Sequence, residues 1–262
     1  MTGKPAVLIT GASTGIGAVY AGRFARRGHD LVLVARDFLR MNQIADRLRR
    51  EACVAVDVVQ IDLTDGQDLE RVEKRLREDE HIGVLVNNAG SIAHGDFLDQ
   101  SDSGITGLIA LNVTALTRLA HAIAPRLAMA GTGAIINLGS IVGLAPEFGL
   151  TLYGATKVFV LFLTQGLSIE LGPKGVCVQA VVPTATRTEF WERSGRDVNS
   201  FPASMESAEL VDAALIGFDR RETVTIPSLP DADQWKVFEA ARQAMLPNFM
   251  QFHPAERYRA AS

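Results

Sequence analysis

The chain has 262 residues, of which 47% are hydrophobic and 21% charged, and its formal net charge is −4. This balance is typical of a folded globular domain and excludes an intrinsically disordered chain or a small disulfide scaffold. A broad nucleic-acid surface needs a clustered excess of Lys and Arg, so the acidic balance predicts no nucleic-acid partner. At this length one domain over residues 1–262 is expected.

The chain carries no recognisable targeting or metal-binding pattern. Its first five residues lack the charged, apolar and small-residue order of a signal peptide, which predicts a cytoplasmic protein. The longest apolar run, 158–163, is far shorter than the ~20 residues of a membrane-spanning helix, so no membrane partner is expected. Cys53 and Cys177 lie in apolar stretches without metal-ligand spacing, which predicts buried thiols and no metal site.

Short β-branched runs alternate with amphipathic stretches over most of the chain. Strands are predicted at 6–10, 31–35, 54–61, 83–87, 134–138 and 176–182, with helices at 16–27, 39–51, 67–78, 103–130 and 152–171. Because the strands are almost continuously apolar, both faces of the sheet should be covered by helices. The pattern predicts an α/β fold, a single-domain Rossmann-type doubly wound parallel sheet flanked by helices, with ligands at the carboxyl ends of the strands.

The pattern becomes irregular after Pro183. Residues 184–204 are polar and are predicted to form a mobile substrate lid. A helix at 207–219 and a short strand at 223–226 follow. A last helix at 231–245 begins a C-terminal helical tail, 231–262.

A glycine-rich loop lies between the first strand and the first helix. Gly11, Gly15 and Gly17 lack side chains, which lets the backbone turn tightly and approach a pyrophosphate at a helix N-terminus. Their spacing, G-x-x-x-G-x-G, differs from the G-x-G-x-x-G fingerprint of dinucleotide-binding proteins. By itself the loop also fits a plain turn that caps a helix.

Two residues at strand ends are candidates for contacts to the adenosine half of a dinucleotide. Arg36 ends the second strand, where an NAD-binding protein commonly presents a carboxylate to the ribose. A guanidinium can bind a 2′-phosphate by paired hydrogen bonds, so NADP(H) is favoured over NAD(H) unless Arg36 is a solvated surface residue. Asp62, after the third strand, is predicted to accept a hydrogen bond from the adenine amino group, or else to cap the next helix.

Tyr153 and Lys157 are four residues apart on a predicted helix, so both side chains can face one cleft. A nearby ammonium is expected to lower the pKa of the phenol, which would then act as general acid and base. Ser140, at the end of the fifth strand, is expected to orient the same oxygen, and Asn112 to hold a water that joins Lys157 to solvent. Alone, each residue also fits a structural role, such as a surface neighbour or a turn cap.

The chain resembles the short-chain dehydrogenase/reductase family. The matching motifs are T-G-A-S-T-G-I-G at 10–17, N-N-A-G at 87–90, Y-G-A-T-K at 153–157, and the single residues Asn112 and Ser140. The resemblance spans about residues 7–188 and implies the sheet order 3-2-1-4-5-6-7. It also implies a catalytic tetrad of Asn112, Ser140, Tyr153 and Lys157, and a homotetramer or homodimer.

By this resemblance a larger set of residues should contact the cofactor. These are Gly11, Ser13, Thr14, Gly15, Ile16, Gly17, Arg36, Asp62, Leu63, Asn88, Ala89, Gly90, Tyr153, Lys157, Pro183, Thr186 and Thr188. The family usually has Pro-Gly after the sixth strand, whereas this chain has Pro183-Thr184. The extra side chain is expected to reshape the cofactor pocket or the lid.

The predicted function is an NADP(H)-dependent oxidoreductase that transfers hydride between the nicotinamide and a carbonyl or alcohol substrate, with Tyr153 as general acid/base. The substrate is expected to be a small molecule in a mixed apolar and aromatic pocket formed by Ile141, Val142, Glu147, Phe148, Phe190 and Trp191. Phe190 and Trp191 equally fit a role in packing the lid. The alternatives are a non-catalytic dinucleotide-binding regulatory or scaffold protein and a Rossmann-like methyltransferase.

Overall fold

The computed structural model describes residues 3–92, 95–193 and 204–259. Two compact units make up the chain, Met1–Pro227 and Ser228–Ser262. The first unit contains the central sheet and every residue predicted for the active site, and the second contains the C-terminal tail. One domain over 1–262 therefore remains a prediction.

The first unit alternates strands and helices as predicted. Its strands are β1 Ala6–Thr10, β2 Leu31–Ala35, β3 Val56–Gln60, β4 Ile82–Asn87, β5 Ala134–Leu138, β6 Cys177–Val181, β7 Thr186–Arg187, β8 Met205–Glu206 and β9 Val224–Thr225. Its helices are α1 Gly15–Arg26, α2 Phe38–Ala52, α3 Gly66–Glu78, α4 Asp102–Ile109, α5 Leu116–Ala130, α6 Thr151–Leu171, α7 Glu189–Arg193 and α8 Ser207–Asp219. Predicted and observed bounds differ by one or two residues at most ends.

Seven parallel strands form the main sheet in the order β3-β2-β1-β4-β5-β6-β9. This confirms the predicted order, because the seventh strand of the sheet is the ninth along the chain. The two extra strands, β7 and β8, pair with each other in a separate parallel ribbon. The carboxyl ends of β1, β4 and β5, which precede the predicted site residues, are therefore neighbours.

Two hydrophobic cores cover the two faces of the sheet, because successive residues of a strand point to opposite faces. Val7 and Ile9 of β1 pack into a core with α1, α2 and α8. Ala6 and Leu8 pack into the other core with α3 and α5. The edge strand β3 departs from the predicted apolar pattern, since Asp57 and Gln60 are exposed.

The helix predicted over 103–130 is a continuous helical stretch with a change of pitch. A π-helical segment, Ala110–Ala115, joins α4 to α5. Such segments are rare and frequently lie at functional sites, because the wider turn displaces one side chain from its helical position. Asn112, a predicted catalytic residue, lies within it and is buried.

Two helical stretches, Asp102–Ala130 and Thr151–Lys174, are long and apolar enough to cross a membrane by length and composition alone. In the fold α5 packs on β4 and β5, and α6 on β5 and β6, so the same residues cover the sheet. Burial in a core accounts for an apolar composition equally well. The absence of a membrane partner, expected from the short run 158–163, stays a prediction.

The prediction of two buried thiols is wrong for Cys53. Its side chain is exposed at the end of α2, where the backbone turns through a left-handed conformation with φ of 54°. This turn leads the chain to the edge strand and leaves the side chain outside the core. Cys177, at the start of β6, is half-buried.

The second unit, Ser228–Ser262, contains α9 Ala232–Ala244 and short 3₁₀ turns at Leu246–Asn248 and Glu256–Tyr258. No residue of α9 is buried. Trp235 and Phe238 stack on each other with ring centroids 5.3 Å apart. The helical tail predicted from residue 231 thus corresponds to this unit.

The lid predicted at 184–204 lies partly outside the described residues, which omit 194–203. Its described part contains β7 and α7, and Met205 at the start of β8 donates a backbone hydrogen bond to Ala185. The two ends of the segment are therefore held together. Its role as a lid stays a prediction.

Candidate active site

The glycine loop after β1 is tightly packed against the loop after β4. Gly11 and Gly15 have φ of 65° and 52°, a left-handed conformation that favours glycine. A methyl group on Gly17 would lie 2.5 Å from Asn88 Nδ2 and closer still to the carbonyl oxygen of Gly11. Close backbone approach therefore requires glycine at 17, and a left-handed turn favours it at 11 and 15.

The N-terminus of α1 has the features of an anion site. Thr14 precedes the helix but makes no side-chain cap hydrogen bond, and the first turn has no acidic residue. By contrast, α2 and α3 are capped by Asp37 and Asp65. Uncapped N–H groups at the positive end of a helix dipole suit a phosphate, so the loop fits the pyrophosphate of a dinucleotide. Ser13 and Ile16 lie on either side of Thr14 in the same half-buried turn.

Thr10 ties this loop to the N-N-A-G segment. Its hydroxyl accepts hydrogen bonds from the backbone N–H groups of Asn88 and Ala89, each 3.0 Å long. The side chain of Asn88 donates to the backbone oxygens of Thr10 and Gly11. The predicted cofactor residues 88–90 are thereby held against the glycine loop. Sequence reasoning missed Thr10 as a site residue, although it begins the T-G-A-S-T-G-I-G motif.

Tyr153, Ser140 and Lys157 meet at the carboxyl end of β5. The phenol of Tyr153 is hydrogen-bonded to Ser140, and Lys157 Nζ lies 5.4 Å from the centre of the Tyr153 ring. Lys157 Nζ donates a 2.8 Å hydrogen bond to the backbone oxygen of Leu138, two residues before Ser140. Ser140 Oγ also accepts a long hydrogen bond, 3.4 Å, from the N–H of Val142. Ser140 thus caps the turn that follows β5 and also lies beside Tyr153, as predicted.

Burial dominates the ionisation of this pair. It raises the pKa of the Tyr153 phenol, which the hydrogen bond with Ser140 partly opposes. It also lowers the pKa of Lys157 to about 8. The prediction that the ammonium lowers the pKa of the phenol is wrong for the protein alone, because burial raises this pKa and the contribution that opposes burial comes from Ser140.

Asn112 faces the same place from the π-helical segment. Its amide oxygen accepts from the N–H of Ser91, and its amide nitrogen donates to Ser91 O and to Thr156 Oγ1. A methyl group on Gly90 would lie 3.4 Å from Asn112 Oδ1 and 3.7 Å from Lys157 Nζ. All four residues of the predicted tetrad therefore converge. Thr156, which sequence reasoning missed, links Asn112 to the backbone oxygen of Tyr153.

Arg36 and Asp62 lie at the carboxyl ends of β2 and β3. The Arg36 side chain is 72% exposed, and its guanidinium is 4.0 Å from the Asp62 carboxylate. Asp62 Oδ1 accepts hydrogen bonds from the N–H and the hydroxyl of Thr64, which lower the pKa of that carboxyl group. Asp62 does not cap α3, since Asp65 does. Leu63, next to it, is buried.

The segment after β6 brings three more predicted residues towards the glycine loop. Pro183 is buried and its backbone oxygen accepts from the N–H of Ile141. A methyl group on Gly15 would lie 2.8 Å from Thr188 Cγ2, so Thr188 contacts the loop. Thr186 is buried and its backbone oxygen accepts from Trp191 Nε1. Thr184, in place of the usual glycine, accepts a hydrogen bond at its carbonyl from the Thr186 hydroxyl.

Comparisons with known proteins agree with this geometry. The sequence model of the short chain dehydrogenase family matches residues 5–199. This chain belongs to the short-chain dehydrogenase family. Members are oxidoreductases, so membership excludes the methyltransferase alternative.

Two solved structures are similar over nearly the whole chain. A short-chain dehydrogenase from Sphingobium yanoikuyae in complex with NADPH is 62% identical, with a TM-score of 0.96 over 97% of this chain and 100% of that chain. A bulky-bulky ketone specific alcohol dehydrogenase from Comamonas testosteroni is 57% identical, with a TM-score of 0.91 over 98% of this chain and 99% of that chain.

A more distant relative is the very-long-chain 3-oxoacyl-CoA reductase-A of Danio rerio, 34% identical over 192 residues. The match covers 72% of this chain and 60% of that protein. This chain thus spans less than two thirds of the length of that curated relative.

The residues predicted for the substrate pocket of this short-chain dehydrogenase divide into three groups. Phe190 lies 6.2 Å from the Tyr153 ring and makes an edge contact with Trp191, which is buried. Ile141 and Val142 form a half-buried 3₁₀ turn directly after Ser140. Glu147 and Phe148 lie in an exposed 3₁₀ turn, with Phe148 59% exposed.

A cavity of about 280 Å³ opens beside Tyr153, and sequence reasoning missed its walls. They come from the loop after β4, including Phe97 and Leu98, and from the start of α6, including Leu150 and Leu152. No sequence pattern marks these residues, because only the folded chain brings the two loops together. Within the described ranges no cluster of three His, Cys, Asp or Glu residues could hold a metal ion.

Proposed function

We propose that this protein is an NADP(H)-dependent oxidoreductase that interconverts a carbonyl and an alcohol, with Tyr153 as general acid/base. The observation that carries the proposal is the convergence of Tyr153, Ser140 and Lys157 at one sheet edge, beside a glycine loop that leads into an uncapped helix. When bound, the nicotinamide supplies or accepts the hydride.

Side chains of the protein transfer the proton that accompanies the hydride. In reduction the Tyr153 phenol gives its proton to the carbonyl oxygen, and the raised pKa keeps that proton in place at neutral pH. In oxidation the phenol first releases its proton towards Lys157 and solvent, and the resulting phenolate oxygen then accepts the alcohol proton. Ser140, hydrogen-bonded to Tyr153, orients the substrate oxygen. Asn112 and Lys157, which both lie beside Gly90, would return a proton from solvent through a bound water.

The cofactor is NADP(H) in preference to NAD(H). The second strand ends at Arg36 instead of a carboxylate, and this side chain is largely exposed at the carboxyl end of the sheet. Its guanidinium would attract a 2′-phosphate, where a carboxylate would repel it. The presence of NADPH in the Sphingobium yanoikuyae relative supports the same preference. Asp62 and the residues of the glycine loop complete the proposed binding site.

A non-catalytic dinucleotide-binding scaffold is the weaker hypothesis. Burying Lys157 beside Tyr153 opposes folding, since a charged ammonium is poorly solvated in the protein interior. A scaffold gains nothing from that cost, whereas a dehydrogenase uses both groups. The similar proteins are named as dehydrogenases and reductases.

The substrate is a small molecule, and we infer that it is a ketone with hydrocarbon substituents. Apolar side chains lie near Tyr153: Phe190 is 6.2 Å from its ring, and Leu150 and Leu152 line the adjacent cavity, to which Asp96, Gln100 and Thr151 add polar groups. The name of the Comamonas testosteroni relative, specific for bulky-bulky ketones, supports this substrate class. The segment 184–204 is proposed to close over the substrate.

We also infer a cytoplasmic homotetramer or homodimer. The apolar run on α6 divides between core and surface: Val160 and Leu161 are buried, while Phe162 is 78% exposed and Ile169, further along the helix, is 76% exposed. An exposed apolar face of this kind suits contact with a second copy. Light scattering on the purified protein would give the number of chains per particle.

The proposed catalytic role is tested by Tyr153→Phe. We expect turnover of NADPH with a ketone to fall by about a hundredfold or more, while NADPH binding changes little, because only the proton donor is removed. Tyr20→Phe is the matched control, since the Tyr20 hydroxyl is buried and has no hydrogen-bond partner among the described residues. Full turnover by Tyr153→Phe would show that Tyr153 is not the acid.

A further inference from the structure

Leu150 has an unusual backbone for its position. It precedes α6 with φ of 60° and ψ of 42°, a left-handed conformation that costs a leucine about 1 kcal/mol or more. Helices usually begin from an extended residue with a Ser, Thr, Asp or Asn side chain that caps the first turn. Leu150 makes no such cap. Local backbone preference therefore disfavours leucine here.

The other described non-glycine residues with positive φ, Cys53 and Arg221, have an ordinary explanation. Cys53 ends α2, and Arg221 follows the last residues of α8. Left-handed residues are common just after the end of a helix, because they satisfy the last carbonyl groups. Leu150 alone of these three begins a helix. Strain that local structure does not explain is typical of functional sites.

The surroundings of Leu150 supply a reason for the leucine. It lines the cavity of about 280 Å³ beside Tyr153, together with Leu152 from α6 and with Phe97 and Leu98 from the loop after β4. Asp96, Gln100 and Thr151 line the same cavity, so the apolar side chains form part of its wall. Phe97 and Leu98 are 59% and 95% exposed. An apolar group in the cavity would remove part of this surface from water, which is favourable.

We propose that Leu150 is a specificity-determining residue: it forms the apolar wall of the cavity beside Tyr153, and this cavity binds a bulky hydrocarbon substituent of the ketone. The inference rests on the proposed function. The carbonyl oxygen lies at Tyr153 and Ser140, and one substituent of the carbonyl carbon extends between Leu150 and Phe97. The second substituent extends towards Phe190, whose ring lies 6.2 Å from that of Tyr153.

Leu150→Asn is the sharpest test. Asparagine has nearly the size of leucine, tolerates the left-handed conformation and is a good residue before a helix, so the main change is a polar wall. The substrates are dicyclohexyl ketone and bis(tetrahydropyran-4-yl) ketone, which differ by one ring oxygen in each substituent. Both are symmetric, so the same group enters the cavity in either orientation. The measurement is the ratio of kcat/KM for the first ketone over the second, with NADPH.

We expect this ratio to exceed one in the wild-type protein and to fall about tenfold in Leu150→Asn, since an apolar wall favours the hydrocarbon ring over the ring with an oxygen and a polar wall does not. Leu150→Gly, which removes the wall and suits the backbone, should lower the ratio too. Leu150 O accepts a hydrogen bond from Gly154 N, so a substitution at Leu150 that moved this turn would also displace Tyr153. A displaced Tyr153 would lower kcat/KM for both ketones together and leave their ratio unchanged. The ratio therefore reports the effect of the cavity wall. Arg221→Gly relieves the same backbone conformation outside the cavity and should leave the ratio unchanged.

The outcomes separate this inference from the proposed function. A ratio within twofold of wild type in both Leu150 variants would refute the role of Leu150 while leaving the oxidoreductase activity established. Wild-type protein that oxidises no NADPH with either ketone would refute the proposed substrate class, and the inference with it. An altered ratio in Arg221→Gly would trace the effect to backbone strain and overturn the inference.

Discussion

Lys157 should make the stability of this protein rise with pH in the alkaline range. Its side chain is only 6% exposed, and burial lowers its pKa from 10.5 to about 8. Below pH 8 the folded protein holds a buried ammonium at a cost. Between pH 8 and 10.5 the folded protein releases this proton while the unfolded chain keeps it, so the free energy of unfolding increases with pH.

The size of the effect follows from the shift. A displacement of this size corresponds to about 3 kcal/mol at 1.36 kcal/mol per pKa unit, of which about 2 kcal/mol should be recovered between pH 7 and 10. Urea denaturation of the wild type and of Lys157→Met at several pH values measures it. Methionine has a similar length and no charge, so the difference between the two proteins isolates the titration of Lys157.

The slope of this difference matters more than its value at one pH. Lys157→Met also removes the hydrogen bond to Leu138 O, which shifts the difference by a nearly constant amount. Other buried groups with a shifted pKa, such as Tyr20, whose pKa burial raises, are present in both proteins. A difference that stays constant from pH 7 to 10 would refute the depressed pKa of Lys157.

Two further predictions concern the cofactor site. Arg36→Asp should lower kcat/KM for NADPH about tenfold to a hundredfold relative to that for NADH, because the charge-assisted contact with the 2′-phosphate becomes a repulsion. An unchanged ratio of the two kcat/KM values in steady-state assays would contradict the 2′-phosphate role. Gly17→Ala should abolish NADPH binding or folding, since its methyl group would lie 2.5 Å from Asn88 Nδ2. Gly22→Ala, in the same helix, is the control: its methyl group meets open space and should raise the free energy of unfolding by up to about 1 kcal/mol. Calorimetric NADPH titration and urea denaturation measure these effects, and tight NADPH binding by Gly17→Ala would contradict the close packing of the loop.

The sequence allowed the strands and helices to be predicted from local rules, and the strand order and the tetrad from the family that its motifs indicate. Strand and helix periods are written in adjacent residues, and the order of strands follows from the family that the motifs indicate. The four-residue spacing of Tyr153 and Lys157 places them on one helix face. Ser140 and Asn112 needed the motifs together, since a lone Ser or Asn has many structural roles.

Ionisation could not be predicted in the same way. The sequence indicated that Lys157 is near Tyr153, and proximity suggested a lowered pKa for the phenol. The folded chain buries both groups, and desolvation then raises the pKa of the phenol and lowers that of the lysine. The exposure of Cys53 was missed for a similar reason, because an apolar neighbourhood in sequence does not determine which side of a turn faces the solvent.

The sequence by itself determined the alternation of strands and helices and the glycine turn before α1, since each depends on neighbours a few residues apart. Its motifs, taken together, indicated the four residues of the proposed tetrad. Only the tertiary structure decided which walls face Tyr153. Phe97 and Leu150 are more than fifty residues apart, and they share a cavity because parallel strands bring the loops after β4 and β5 to one edge of the sheet.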